Sequence, residues 1–260
     1  MGKLKRYFKY IIIVFIPLIL LIGTGVLWWS SRGDSEKSDL LVQIGTYEAA
    51  LQYNQENSKA LMERSVAFNK AGDFQTGFQY LDRAVDLNPR EYLGYRGWIR
   101  LRKMRDYEKA LSDFNRLDSL TPNFVDAPWG EDIDFLRGEC YFGKKDYTHA
   151  IKLFERSIEN QGEDWADVQT FVYLGLCHYE LRNHEKSIKE FQRALKQSDK
   201  ICEAYFGLAK VHLRLGEKEK AKNFIEKAAH TISHKRDDVY NEYLNEIYLS
   251  EILAFKKSLN

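Results

Sequence analysis

Two acidic clusters are the groups in this chain best spaced for chemistry: Glu131, Asp132 and Asp134, and Glu163, Asp164 and Asp167. Neighbouring carboxylates can divide the general acid and general base roles, or hold a cation between them. Each cluster falls where a helix is expected to begin. Acidic side chains there suit the positive end of the helix dipole, and capping is the expected role. Cys140 and Cys177 occupy equivalent places in a repeating pattern and could form a redox pair, but three cysteines make an odd set without framework spacing. Small buried filler is the expected role for both. His178 and His212 also share an equivalent place and are expected as partly buried imidazoles, with a pH-sensitive joint as the sharper alternative. His230 and His234 are one helical turn apart, as a metal pair would be, yet no third ligand accompanies them. The chain contains no P-loop, no Rossmann glycine pattern, no Gly-x-Ser-x-Gly elbow and no His-Glu-x-x-His. No catalytic residue, metal or cofactor is expected, and the chain is not expected to be an enzyme.

The 260 residues carry 39 Lys+Arg and 38 Asp+Glu, a formal net charge of +1. No basic excess exists to displace counterions from a polyanion, which argues against nucleic acid as a partner. Four prolines and little β-branched alternation favour an all-α fold.

The elements that would carry these residues recur. Gly77, Ala110, Ala150, Ser187 and Ala221 are small residues separated by 33, 40, 37 and 34 places. Three places before them stand Phe74, Tyr107, Tyr147, His184 and Lys218; four places after them stand Leu81, Phe114, Phe154, Phe191 and Ile225. Ser65, Gly97, Gly138, Gly175 and Ala209 form a second small-residue set upstream. Small residues at both crossing points let two antiparallel helices approach closely, and the large residues fill the space beside them. The turns read Gly72-Asp73-Phe74, Arg105-Asp106-Tyr107 and Lys145-Asp146-Tyr147, with Asn88-Pro89 and Thr121-Pro122 ending two units. Gly97 to Asp106 is one residue longer than the matching spacings, which leaves that unit's register open. Extra residues after Pro122 and around Trp165 are expected in loops between units.

This pattern resembles the tetratricopeptide repeat family, whose period is near 34 residues. The resemblance implies a right-handed superhelical solenoid of helix pairs that binds proteins or peptides on its concave face. In that family, first-helix side chains two, five, nine and twelve places into a unit face the groove. Carried onto this chain, they include Met62, Val66, Trp98, Leu101, Phe135, Glu139, Phe142, Val172, Leu176, Tyr179, Phe206, Lys210 and Leu213. The family's carboxylate-clamp members carry Lys, Asn and Arg in the groove; Val66, Trp98, Glu139 and Leu176 at the nine-place sites do not match that clamp. An apolar, aromatic groove suits an extended peptide or an amphipathic helix. Trp129 and Trp165 in the lengthened loops are further candidates for partner contact.

Residues 1–9 are basic, with Lys3, Lys5, Arg6 and Lys9. Residues 10–29 carry no charge, long enough as a helix to cross a bilayer, and predict one N-terminal transmembrane helix. The excess of basic residues before the span predicts a cytoplasmic N-terminus and extracytoplasmic repeats, on the periplasmic side in a bacterium. Residues 30–38 read as a flexible linker and residues 39–236 as the solenoid, a partial first unit plus about five units. Residues 237–260 read as one capping helix bearing Tyr240, Tyr243, Leu244, Ile247, Tyr248, Ile252 and Phe255. The expected function is a membrane-tethered scaffold or adaptor for a partner protein in envelope assembly, secretion or quality control. A structural subunit of a fixed complex is the alternative, followed by an enzyme using the acidic loops.

Overall fold

The computed structural model describes residues 16–235 and 243–259. The chain divides into two compact units, residues 1–88 and 89–260. Among the described residues the regular structure is entirely helical. The basic segment 1–9, residues 10–15 of the expected membrane span, and residues 236–242 with Tyr240 lie outside the described residues.

The first unit contains α1 (Ile16–Ser30), α2 (Asp34–Gln43), α3 (Tyr47–Tyr53), α4 (Ser58–Lys70) and α5 (Phe74–Leu87). Helices α2 and α3 pack as one pair, α4 and α5 as the next. Two expectations are corrected here. Half of the expected linker is helical: α2 starts at Asp34, with Asp34 and Glu36 in its first turn, where the helix dipole favours acid. The first repeat unit also has its first helix. Gly45 turns the chain at φ +76 between α2 and α3, so the first unit is a complete helix pair rather than a partial one. Val42, Ala50 and Ala60 are buried between them and α4. Asn57 caps α4 by accepting from the Ala60 N–H at 3.0 Å, while its amide donates to Ser38 and Asp39. Helix α1 is apolar, and Leu21, Ile22, Val26 and Leu27 on it are exposed. Among the described residues, no helix is long and apolar enough to cross a membrane.

The second unit contains α6 (Pro89–Arg102), α7 (Tyr107–Leu120), α8 (Ile133–Gly143), α9 (Tyr147–Gln161), α10 (Val168–Glu180), α11 (His184–Gln197), α12 (Cys202–Arg214), α13 (Lys218–Thr231) and α14 (Leu249–Ser258). Its first eight helices form four hairpins. The recurring turn motif has a plain physical basis. Arg105, Lys145, Arg182 and Gly216 hold positive φ, as Gly72 does in the first unit. The aspartates that follow in three of the five turns accept from backbone N–H groups three residues on. Those three turns thus reverse the chain and cap the second helix in two consecutive residues. The additional residue between Gly97 and Asp106 is absorbed in its turn: the Asp106 N–H reaches back to Arg100, six residues, where Asp146 and Asn183 reach back five.

Helix crossings follow the small-residue pattern. A Cβ added at Gly97, Gly138 or Gly175 would lie 2.7, 2.6 and 2.6 Å from the ring of Phe114, Phe154 and Phe191 respectively. These three rings are fully buried, each against the glycine of its own hairpin. Gly138→Ala is therefore expected to lower the melting temperature, because overpacking typically costs about 1–3 kcal/mol and the helix-propensity gain returns only about 1. Gly25, inside helix α1 with nothing within 4 Å of an added Cβ, is the control at an open helical position. Equal melting curves for the two alanine variants would show that the ring does not occupy the crossing.

The C-terminal helix is shorter than expected. Residues Tyr243–Tyr248 are not helical, and α14 begins only at Leu249. The Glu251 carboxylate accepts from the Tyr248 N–H at 2.9 Å and starts the helix there. Ile247, Ile252 and Leu259 pack on Cys202, Ala209, Ala221, Ile225 and Ala228, so α14 does cover the last hairpin. The segment before it has different partners.

Candidate functional site

The first helices α6, α8, α10 and α12 lie side by side in the second unit. A polar and aromatic network runs across three of them. Glu139 of α8 is fully buried. Its Oε2 accepts from Arg102 Nε at 2.9 Å and Nη2 at 2.5 Å, and its Oε1 accepts from the Tyr173 hydroxyl at 2.5 Å. Arg102 Nη2 also donates to Glu131 Oε1 at 2.9 Å, and Glu131 Oε2 accepts from the Trp98 indole at 3.2 Å. Burial pushes the Glu139 carboxyl up to about 7 against the opposing pull of Arg102, with Glu131 adding in the same direction as burial. Burial, reinforced by Glu139, likewise raises the Tyr173 phenol. The Tyr173 ring stacks on Phe154 at 5.1 Å and meets the edges of Phe135 and Phe142 at 5.8 and 5.0 Å.

The non-helical segment before α14 lies on this network. The Tyr243 ring packs edge-on against Phe135 at 6.1 Å, and the Arg102 guanidinium sits 4.4 Å from its centroid. The Leu244 N–H donates to the Tyr173 hydroxyl at 3.0 Å. The Asn245 amide donates to Gln169 Oε1 at 3.0 Å. The Tyr243 hydroxyl faces Asp167 at 3.5 Å, at the limit of hydrogen bonding. Burial raises the Tyr243 phenol, with Asp167 and Glu131 adding to it. Lys235 closes the far side, donating to the Ile247 carbonyl at 2.9 Å and pairing with Glu246. An aromatic ring, a backbone N–H and an amide side chain of consecutive residues are each read by a different group.

The structure brings Trp98, Phe135, Glu139 and Phe142 of the expected groove together. Trp98 and Phe135 are buried and Phe142 is half-buried. Val172 and Leu101, expected to face the groove, are instead fully buried core. Val172 packs with Phe171, Phe191 and Leu208 between hairpins, and the network position falls to its neighbour Tyr173. Leu176 is half-buried against that same core, and Tyr179 is buried in it beneath Lys210 and Arg214 at 4.6 and 4.4 Å. Burial lowers the Lys210 ammonium. Phe206 is covered by Phe255 of α14 at 5.4 Å, while Leu213 remains exposed. Met62 and Val66 lie half-buried on α4 in the first unit. Trp129 is exposed in a 3-10 turn beside Tyr95, and Trp165 is 85% exposed in its own loop.

The acidic clusters are taken up by structure. Asp132 accepts from the Asp134 and Phe135 N–H groups, Asp134 binds Arg137 and Arg156, and Asp167 accepts from the Gln169 N–H. Glu163 pairs with Arg193. Cys140, Cys177 and Cys202 are buried and free, and burial raises all three thiols. His178 is buried, and burial with nearby Lys186 lowers it; His212 stacks on Phe224 and faces Glu217. His230 ends α13 while His234 lies in the following 3-10 turn, so the two do not share one helix. Among the described residues, no group of three His, Cys, Asp or Glu side chains is placed to hold a metal ion.

Sequence reasoning missed Arg102, Gln169, Tyr173 and Tyr243. One signal was available: Glu139, at a place held by Val66, Trp98 and Leu176 in three other repeats, requires a cation from an adjacent helix if it is buried.

Tetratricopeptide repeat models match residues 44–92, 135–164, 169–200 and 203–229. Among curated proteins, the BBSome complex member BBS4 of Bos taurus is 25% identical over 195 residues, 74% of this chain and 36% of its own length. A TPR repeat-containing protein of Methanocaldococcus jannaschii, MJ1428, is 24% identical over 220 residues, again 74% of this chain and 37% of its own. The chain thus spans just over a third of the length of these relatives. Among solved structures, the type IV pilus biogenesis factor PilW superposes with a TM-score of 0.61 at 13% identity, covering 85% of this chain and 96% of that one. YrrB, described as a TPR protein with an unusual peptide-binding site, superposes with a TM-score of 0.54 at 15% identity, covering 72% and 92%. These likenesses show a shared fold. With four matched stretches and helical hairpins meeting through glycine and phenylalanine, the chain belongs to the tetratricopeptide repeat family.

Proposed function

We propose that this protein is a membrane-tethered interaction scaffold that captures a segment of a partner protein on the first-helix face of its second unit. The observation that carries this reading is the reception of Tyr243, Leu244 and Asn245 on that face, where ring, backbone and amide each find a matching group. The repeat family's general role in binding proteins agrees with it. Support for the tether is the uncharged stretch 10–29 in the sequence and the exposed apolar side chains of Leu21, Ile22, Val26 and Leu27 on α1. Basic residues crowd before that stretch, so the repeats are assigned to the extracytoplasmic side. Tethering raises a partner's effective concentration without any new contact. Envelope assembly, secretion and quality control are the processes such a tether suits.

The test uses the full chain in intact membranes. A photoreactive residue at Phe142, beside the network, is expected to crosslink a discrete partner; one at Lys152 on the outer helix α9 is not. A reporter enzyme active only outside the cytoplasm, fused after Asn260, is expected to work. The structural-subunit reading has its own support in Leu249 and Leu253, about half exposed on α14 at 48% and 51%. Crosslinks from those two positions, with none from Phe142, would favour it and remove the groove reading.

A further inference from the structure

We propose that Tyr243–Asn245 is a displaceable occupant of the groove, held in place of a partner segment of like chemistry: a turn-forming stretch carrying a tyrosine, then a residue that supplies its backbone N–H, then an amide side chain. The inference deepens the scaffold reading and rests on it.

The segment is joined to the fold in two unequal ways. Its C-terminal side is anchored, since Ile247, Ile252 and Leu259 are buried in the last hairpin's core and Lys256 pairs with Glu226 at 2.7 Å. Tyr243–Asn245 reaches the groove through separate, directional contacts. These are one ring over Arg102 and against Phe135, one backbone hydrogen bond to Tyr173, and one amide pair with Gln169. A segment that only completed a core would need apolar burial; this one is read residue by residue. Leu244 contributes its backbone N–H, and the groups that receive the three residues come from α6, α8 and α10. Those receiving groups are already fixed by the Arg102–Glu139–Tyr173 network beneath them. Such a preformed surface accepts an equivalent segment in trans without rearrangement.

Because the occupant is tethered through α14, it competes at the effective concentration of a short linker, in the millimolar range. A partner segment must exceed that, or arrive with further contacts or under the same membrane confinement. The arm can therefore lift while α14 stays docked, opening the groove only to a partner concentrated beside it.

The test measures fluorescence anisotropy of a labelled nine-residue peptide, YNEYLNEIY, with the sequence of residues 240–248. The full chain, solubilised in nanodiscs, is compared with its Tyr243→Ser/Asn245→Ala variant. The variant is expected to bind the peptide at least tenfold more tightly than the wild type, and a peptide with serine at the Tyr243 place is expected to lose that binding. A folded variant with no gain in binding overturns the proposal. Should the variant fail to fold, amide exchange in the wild-type chain decides. Excess peptide is expected to speed exchange at Leu244 and leave α14 unchanged; no change at Leu244 overturns the proposal. Failure of the scaffold reading is separate. It would show as absence of any partner crosslink from Phe142 in wild type and variant alike, whereas equal crosslinking by both would sink only the displaceable arm.

Discussion

Replacing Arg102 by methionine is expected to destabilise the second unit by about 3–5 kcal/mol at pH 8, the usual cost of removing one partner of a buried ion pair. The Arg102 side chain is 1% exposed and that of Glu139 is 0%. Without the guanidinium, the Glu139 carboxylate keeps only the Tyr173 hydroxyl, and Glu131 loses its cation. A second substitution separates a stabilising pair from a mutually dependent one. Arg102→Met combined with Glu139→Leu is expected to recover most of the loss, because a buried pair exchanged for apolar groups of similar volume is often neutral or better. Urea midpoints at constant slope give both values. A single-variant cost below about 1 kcal/mol, the range of exposed pairs, would show that the network is not closed to water.

The second large effect is a dependence on pH. Burial holds the folded-state Glu139 carboxyl at about 7, above its ordinary 4.5. Between those values the folded protein keeps a proton that the unfolded chain has released. The contribution to stability is therefore complete below about pH 4.5 and is lost as pH rises through about 7. On the order of 3 kcal/mol is expected to disappear across that window, by the free energy of one pKa unit, about 1.4 kcal/mol. Asp132, Glu190 and Glu203 are also raised by burial and act in the same direction, while His178, lowered by burial, acts in the opposite one. The measurement is accordingly the difference curve between wild type and Glu139→Gln from pH 5 to 8. A sloping difference, with the wild type losing stability as pH rises, is the expected result; a flat one would place the carboxyl near its ordinary value. The same proton links the two predictions, because the Arg102→Met cost should shrink at pH 5, where Glu139 is neutral.

Helix pairs, their crossings and their caps were legible in the chain. Gly138 and Phe154 stand in a recurring pattern because every hairpin solves the same local problem, and repetition multiplies a signal that one copy would not carry. The turn motif was legible for the same reason: one residue takes positive φ and the next caps a helix, both local requirements. The lengthened turn after Gly97 was visible as a count, but its location was not, since either the helix or the turn could have absorbed the residue. The first helix of the first unit was missed because Gly45 interrupts a pattern whose apolar spacing runs on as one helix. Family spacing put Val172 and Leu101 on the groove face; packing between hairpins gave that face to Tyr173 and Arg102 instead.

The sequence by itself determined the all-helical repeat fold, most of its hairpin boundaries and most of its crossings, because these depend on residues close to each other in the chain. Tertiary structure alone decided what the groove contains. The pairing of Arg102 with Glu139 spans 37 positions, and the bond from Leu244 to Tyr173 spans 71. In the sequence, Tyr243, Ile247 and Tyr248 continue an apolar stripe with Ile252 and predict one long capping helix. The groove overrides that local preference, because hydrogen bonds and ring contacts offered by α6, α8 and α10 replace the backbone bonds a helix would have made.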